Sequence, residues 1–291
     1  MAQQVEDGPV ASRKRFFDRP TTGKAVLVVA AYLAYYLLVS LAVGAVFGDE
    51  IDPDDPLATG AGIFFGLVLP IAIGAVTALG FTAFTGRLRS VFGAQPVRGR
   101  GWMWIGPALV VTAVVSHAAS IEWSDWGPEQ IALIALLGIC VGLAEELASR
   151  GLPVLMLRGA GHSERFVMVV SSLLFALMHM VNVLSGMKPS TVLLTVVYAF
   201  GFGVCMYLTM HVTGTIWAAI ILHAVTDPTT ILASGGVDEA VTDHAGGWSL
   251  LGSAVTILMI VFSFVAVFLV RGGRRAPGGG GVWPGGPHPN K

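Results

Sequence analysis

Long apolar runs recur along the whole chain and decide what it can fold into. The eight runs lie at about 25–47, 59–84, 102–119, 128–158, 163–184, 190–212, 214–234 and 248–270. Each contains a stretch near the ~20 residues that an α-helix needs to cross a bilayer. The sequence therefore predicts an all-α membrane protein with eight transmembrane helices.

The composition favours the same fold class and excludes an ordinary soluble domain. Hydrophobic residues make up 54% of the 291 residues and charged residues only 12%, whereas a soluble domain carries about 25% charged residues. The net charge is −1, so the bulk charge points to no polyanionic partner, and we expect no nucleic acid to bind. The usage of Ala, Val and Gly favours a bacterial plasma membrane as the location.

Polar ends frame the predicted membrane domain. Residues 1–24 are polar and basic, and we predict a cytoplasmic segment there. The first apolar run is longer than the hydrophobic region of a signal peptide, and no convincing cleavage site follows it, so we expect an uncleaved helix. The transmembrane domain is predicted over 25–270. Residues 271–291 are rich in Gly and Pro and are predicted to be disordered.

The charges of the connecting loops predict the orientation. Lys and Arg are concentrated in the N-terminal segment, in the loop after the second run, around 158–165 and in the tail, whereas the alternate loops at 49–55, 122–129 and 238–243 are acidic. Basic loops usually stay in the cytoplasm. We therefore predict that both termini are cytoplasmic, which requires an even number of crossings.

The fourth run is longer than one crossing needs and carries charges in its middle. Pro153 is expected to kink this helix or to end it early. Glu145, Glu146 and Arg150 also lie inside the run, and each charge at that depth costs a few kcal/mol on insertion scales. Charged residues are kept at this depth only where they serve a purpose, and we infer that the purpose here is catalysis.

Helical spacing gives the two adjacent carboxylates different roles. Glu146 and Arg150 are four residues apart, so they share a helical face and can pair. A helix turns by about 100° per residue, so Glu145 points away from Glu146 and is not the natural partner of the arginine. We therefore expect Glu146 to be neutralised by Arg150 and Glu145 to serve as a base.

Two later helices carry further polar side chains at a similar depth. One has Phe175 and His179 four residues apart, with Asn182 about one turn later, and the other has His223 and Asp227 four residues apart. Counted from the nearest predicted cytoplasmic ends of their helices, Glu145, His179 and Asp227 lie about 20 Å deep and His223 about 14 Å deep. Three helices could thus line one water-filled intramembrane cavity.

The three motifs together resemble those of the CPBP family of intramembrane proteases, which includes the CaaX prenyl endopeptidase Rce1 and bacterial Abi proteins. They are Glu-Glu-xxx-Arg, Phe-xxx-His and His-xxx-Asp, in that order, within a core at about 130–232. The resemblance implies that Glu145 is the principal catalytic carboxylate, supported by Glu146 and Arg150. It implies that His179 helps to activate water and that His223 and Asp227 stabilise the oxyanion or orient the substrate. Phe175 and Asn182 would be supporting residues.

Two residues depart from the family pattern. Ser149 precedes the arginine, where the family often has an aromatic residue. Asp227 stands where Rce1-type members have Asn, and an ionised carboxylate is a poor oxyanion donor. Asp227 could instead orient His223 or bind a metal.

The predicted reaction is hydrolysis of a peptide bond in a membrane-associated protein or peptide. In a metal-free mechanism Glu145 and His179 activate the water, and His223 contacts the oxyanion. In a metal mechanism two His and one carboxylate, drawn from His179, His223, Glu145 and Asp227, bind Zn²⁺. We prefer the metal-free form, because the sequence has no His-Glu-xx-His motif.

Other interpretations fit some of the same residues. Intramembrane Glu, His and Asp side chains also suit a proton-coupled secondary transporter, although no inverted repeat is visible. A non-catalytic membrane scaffold is a further alternative, in which the Glu146–Arg150 pair is purely structural. His117 and His211 lie near the ends of their runs and are predicted to be interfacial rather than catalytic.

Overall fold

Eight long apolar helices make up most of the described part of the chain. The computed structural model describes residues 19–97, 99–184, 186–237 and 246–272, and within these ranges every regular element is a helix. The helices long and apolar enough to cross a membrane are α1 (Thr22–Glu50), α2 (Gly62–Phe84), α3 (Gly101–Ala119), α4 (Pro128–Gly159), α5 (Glu164–Val183), α6 (Pro189–Thr213), α7 (Ile216–Ser234) and α8 (Gly247–Leu269). The predicted all-α, multi-pass membrane fold is confirmed.

Some of the predictions fall outside the described residues. They include most of the N-terminal segment, the tail from 273 onwards, Arg98, and the acidic residues Asp238, Glu239 and Asp243. The cytoplasmic location of the termini and the disorder of the tail therefore stay predictions.

Helix α4 is interrupted by a short π-helical stretch directly before the helical turn that contains Pro153. It is α-helical from Pro128 to Glu146, π-helical over Leu147–Gly151, and α-helical again over Leu152–Gly159. Pro153 has no N–H to donate to the preceding turn, which disfavours regular α-helical bonding just before it. The wider turn lies directly before Pro153, and the helix then continues to Gly159. Of the two effects expected of Pro153, a kink or an early end, the early end does not occur. Single π-helical turns are frequent at functional sites.

Two glycines allow α4 and α7 to touch through their backbones. A Cβ atom at Gly138 would lie 2.3 Å from Cγ of Pro228, and one at Gly142 would lie 2.7 Å from the carbonyl oxygen of Ile220 and 2.8 Å from the amide nitrogen of Ala224. No side chain fits at such distances, so only glycine is compatible with this packing. Small residues four apart are a common basis for close helix pairs in membranes. This contact brings the carboxylates of α4 to His223 on α7.

A second buried cluster joins the ends of α4, α5 and α6. Arg158 donates from Nε and Nη2 to Glu164 Oε2, at 3.2 and 3.1 Å, and from Nη1 to Gln95 Oε1 at 2.7 Å. Tyr207 donates its hydroxyl to the same Glu164 oxygen at 2.6 Å, and His211 Nε2 lies 3.0 Å from it. The ends of three helices are thereby held together by one carboxylate.

Three polar residues near helix ends are more deeply buried than the sequence suggested. Arg158 entered the orientation argument as a loop charge, but only 2% of its surface is exposed. His117 and His211, which were predicted to be interfacial rather than catalytic, are also covered by neighbouring helices, at 6% and 2% exposed, and their depth in the membrane stays a prediction. His117 Nδ1 lies 3.1 Å from Thr230 Oγ1 and so connects α3 to α7. Proximity to a helix end does not make a side chain solvent-exposed when neighbouring helices cover it.

The glycine contact between α4 and α7 predicts a site-specific sensitivity to a single methyl group. Gly142→Ala should lower the stability by about 1–3 kcal/mol, because the two backbones must separate. Thermal unfolding in detergent measures this. The matched control is Gly44→Ala on exposed α1, where a Cβ would meet nothing within 4 Å among the described residues. Equal unfolding temperatures for the two variants would contradict the proposed packing.

The Arg158 cluster predicts that removing one member of the Arg158–Glu164 ion pair lowers the stability more than removing both members together. Glu164→Leu should destabilise the protein by about 3–5 kcal/mol, because it leaves the buried Arg158 guanidinium without its carboxylate. The double variant Arg158→Met with Glu164→Leu should recover much of that loss in the same thermal measurement. Glu122→Leu in an exposed loop is the control. A double variant no more stable than the single one would refute this account.

Candidate active site

The centre of the site is one carboxylate oxygen of Glu146. Arg150 donates from Nη1 to Glu146 Oε1 at 3.0 Å, and His223 Nδ1 lies 2.9 Å from the same oxygen. An ionised carboxylate only accepts hydrogen bonds, so Nδ1 is the donor. The side chains of Glu146 and Arg150 are 0% exposed and that of His223 is 3% exposed. This centre is sealed inside the bundle and connects α4 to α7.

Neighbouring helices hold the guanidinium of Arg150 from two sides. Its Cζ atom lies 4.3 Å from the ring centroid of Phe175 on α5, within the range of a cation–π contact. On α6, a Cβ atom at Gly203 would come 2.9 Å from Arg150 Nη2 and 3.3 Å from Cδ1 of Phe175. Glycine at 203 therefore leaves the space that the guanidinium occupies.

Two further carboxylates flank the other nitrogen of His223. Its Nε2 atom lies 3.8 Å from Glu145 Oε2 and 3.5 Å from Asp227 Oδ2. Unlike Glu146, these two side chains are partly accessible, with 22% of Glu145 and 29% of Asp227 exposed. The imidazole thus separates a sealed carboxylate from two accessible ones. A substrate or water could reach the Nε2 side of the ring and not the Nδ1 side.

His179 is connected to this group through Phe175. Regular α-helix ends at Met178, and a 3₁₀ segment begins at His179 and includes the partly buried Asn182. His179 Nδ1 lies 3.2 Å from the carbonyl oxygen of Phe175, so Nδ1 donates and Nε2 of the neutral ring keeps its lone pair.

The ring of Phe175 lies between the two histidines. Its centroid is 5.1 Å from that of His179 and 5.8 Å from that of His223, both in edge-to-face arrangements. Together with its contact to Arg150, this places Phe175 against three of the polar residues that the motifs singled out. The structure therefore gathers Glu145, Glu146, Arg150, His223 and Asp227 directly, and His179 by way of an aromatic ring.

Helix α6 contributes two residues that the sequence analysis missed. The ring of Phe202 lies edge-to-face on His223, with centroids 4.9 Å apart, and the next residue is Gly203 beside Arg150. Neither residue stands out in an apolar run, because aromatic and small residues are common in membrane helices. The alternation Phe-Gly-Phe-Gly at 200–203 is the one local signal that could have drawn attention to this turn.

The metal interpretation was tested against the side chains present. The described residues contain no group of three or more His, Cys, Asp or Glu side chains arranged to hold a metal ion. In particular, His179, His223, Glu145 and Asp227 do not form such a group. The choice between the metal-free and the metal mechanism stays a prediction.

A family model matches the part of the chain that carries this site. Residues 127–229 match the family model described as Type II CAAX prenyl endopeptidase Rce1-like. No curated protein matches the chain, and no solved structure does. The matched segment nearly coincides with the predicted core at 130–232 and contains every residue named above as part of the site. The match confirms the resemblance over 127–229 and suggests that this multi-pass membrane protein is a CAAX-type intramembrane protease.

Proposed function

We propose that the protein is an intramembrane endopeptidase that uses Glu145 to activate water against a peptide bond of a membrane-associated protein or peptide. The observation that carries this proposal is the division of the carboxylates around His223. Glu146 is sealed and shared with Arg150, whereas Glu145 and Asp227 are 22% and 29% exposed. A purely structural ion pair would need only the sealed half of this arrangement.

In the proposed reaction, Glu145 takes a proton from water as the water oxygen attacks the carbonyl carbon of the peptide bond. His179 holds the same water through Nε2, because its Nδ1 is committed to the Phe175 carbonyl. The tetrahedral intermediate then collapses, the C–N bond breaks, and Glu145 passes the proton to the leaving amine. The products are a carboxylic acid and an amine, and the carboxylate is regenerated.

The role proposed for His223 is stabilisation of the negative oxygen in the intermediate. Since Nδ1 donates to Glu146, the ring can donate from Nε2 only as an imidazolium. The positive charge of that form would be offset by Glu146 on one side and by Glu145 and Asp227 on the other. A donor fixed in advance at the position of the developing charge is a large contribution to catalysis.

Asp227 is proposed to orient His223 rather than to contact the oxyanion. It lies one helical turn after the histidine, with its Oδ2 atom 3.5 Å from Nε2. An ionised carboxylate cannot donate a hydrogen bond to a negative oxygen. Asp227 can, however, limit the rotation of the imidazole about its own helix, which Glu146 also does from α4.

Purified protein in detergent or proteoliposomes should cleave reporter peptides that span or lie on a membrane. Glu145→Gln and His179→Ala should each lower kcat at least 100-fold, because general-base catalysis contributes about 10²–10⁴. Glu122→Gln, in an exposed loop, should keep full activity. Each variant should unfold at the temperature of the wild type. Full activity in either site variant would refute the assignment, and solute uptake that depends on Glu145 without any cleavage would favour a transporter.

We expect cleavage to proceed without a bound metal. Activity should survive a strong chelator, and elemental analysis of active protein should find less than one equivalent of zinc. The physical reason is that no three-ligand group is assembled at the site among the described residues. Stoichiometric zinc in the active protein, with activity lost to the chelator and restored by zinc, would establish the metal mechanism instead.

A further inference from the structure

Ser149 is one of the two residues that depart from the family pattern, and it lies inside the π-helical turn of α4. It is 0% exposed, so it contacts neither lipid nor water. Ser149 is adjacent in sequence to Arg150 and follows Glu145 by four residues. A buried hydroxyl at this position must find hydrogen-bond partners inside the protein.

Its hydroxyl group has two partners, and both belong to the site. Ser149 Oγ donates to the carbonyl oxygen of Glu145. The same oxygen accepts from Arg150 Nη1 at 2.7 Å. Nη1 carries two hydrogens, and its other contact is Glu146 Oε1 at 3.0 Å. A single arginine nitrogen is therefore connected to the side chain of Glu146 and, through Ser149, to the backbone of Glu145.

We propose that Ser149 is a positioning residue that fixes Arg150 against the backbone of Glu145 and so sets the two carboxylates relative to each other. This inference rests on the proposed function, in which Glu145 and Glu146 act differently. Within the space between Phe175 and Gly203, two bonds on one nitrogen fix the direction of the guanidinium more closely than the bond to Glu146 alone. Rotation of the guanidinium would move Glu146, and with it the imidazole of His223.

The contact to arginine separates Ser149 from an ordinary helical serine. Ser263 on α8 is also 0% exposed and donates to a backbone carbonyl of its own helix, that of Ile260, at 2.6 Å. Within the described part of the chain, Ser263 makes no hydrogen bond to a charged side chain. Ser263→Ala therefore removes a similar bond and leaves the site untouched, which makes it a matched control.

The test measures kcat and KM separately for Ser149→Ala, Ser149→Cys, Ser149→Thr and Ser263→Ala on one reporter peptide. Ser149→Ala and Ser149→Cys should lower kcat roughly tenfold with KM within about twofold, since a bond that holds the catalytic geometry is lost but substrate contacts remain. Cysteine keeps the volume of serine and is a weak hydrogen-bond partner, so it reports on the bond even where alanine perturbs packing. Ser149→Thr keeps the hydroxyl and should retain most of the activity. Ser263→Ala should keep the wild-type kcat.

A second arm asks whether Ser149 acts through Arg150. The Arg150→Lys variant lacks the planar guanidinium group. Adding Ser149→Ala to this variant should cause no further fall in kcat. Wild-type kcat in Ser149→Cys, or an equal fall in both backgrounds, would overturn the proposal while leaving a Glu145-dependent protease in place. Hydrogen exchange of residues 144–151 should speed up in Ser149→Ala, and no change there would also overturn it. Absence of any cleavage by the wild type would instead refute the proposed function, and this inference with it.

Discussion

A single oxygen atom of Glu146 is shared by Arg150 and His223, and the rest of the site is arranged around that atom. The arginine comes from the same helix one turn later, and the histidine comes from α7. Burying a carboxylate in an apolar bundle is costly unless it is paired and hydrogen-bonded. Because both partners bind the same oxygen, the pairing that stabilises the charge also fixes where the imidazole points.

This arrangement gives three carboxylates of the same chemistry three different surroundings. Glu146 is enclosed and neutralised, Asp227 follows the histidine on its own helix, and Glu145 lies on the accessible side of the ring. The aromatic rings of Phe175 and Phe202 pack edge-on against His223 and leave the Nε2 side to the carboxylates. The roles proposed for the residues follow from these surroundings and not from the residue types alone.

Hydropathy and helical periodicity were sufficient to predict the eight helices and the i,i+4 contacts. Both depend on properties that a chain carries locally: the length of an apolar run, and the 100° between successive residues. The proximity of Glu146 to Arg150 and of His223 to Asp227 is local in the same sense.

Contacts between helices could not be predicted in this way. The backbone approach at Gly138 and Gly142, the space at Gly203 and the ring of Phe202 all depend on which helix lies next to which. The π-helical turn at Leu147–Gly151 depends on Pro153 together with the packing around it. The burial of His117, Arg158 and His211 likewise depends on neighbours far away in sequence. A glycine pair such as Gly138-xxx-Gly142 is visible in a sequence, but its partner helix is not.

The glycine contact between α4 and α7 has a mechanical consequence for an enzyme embedded in lipid. Helices respond to a change in bilayer thickness by altering their tilt. Where two backbones touch with no side chain between them, no flexible layer is available to absorb a relative slide. We therefore expect α4 and α7 to tilt together as one rigid body. The distance from Glu146 to His223 should then stay the same when the thickness of the surrounding membrane changes.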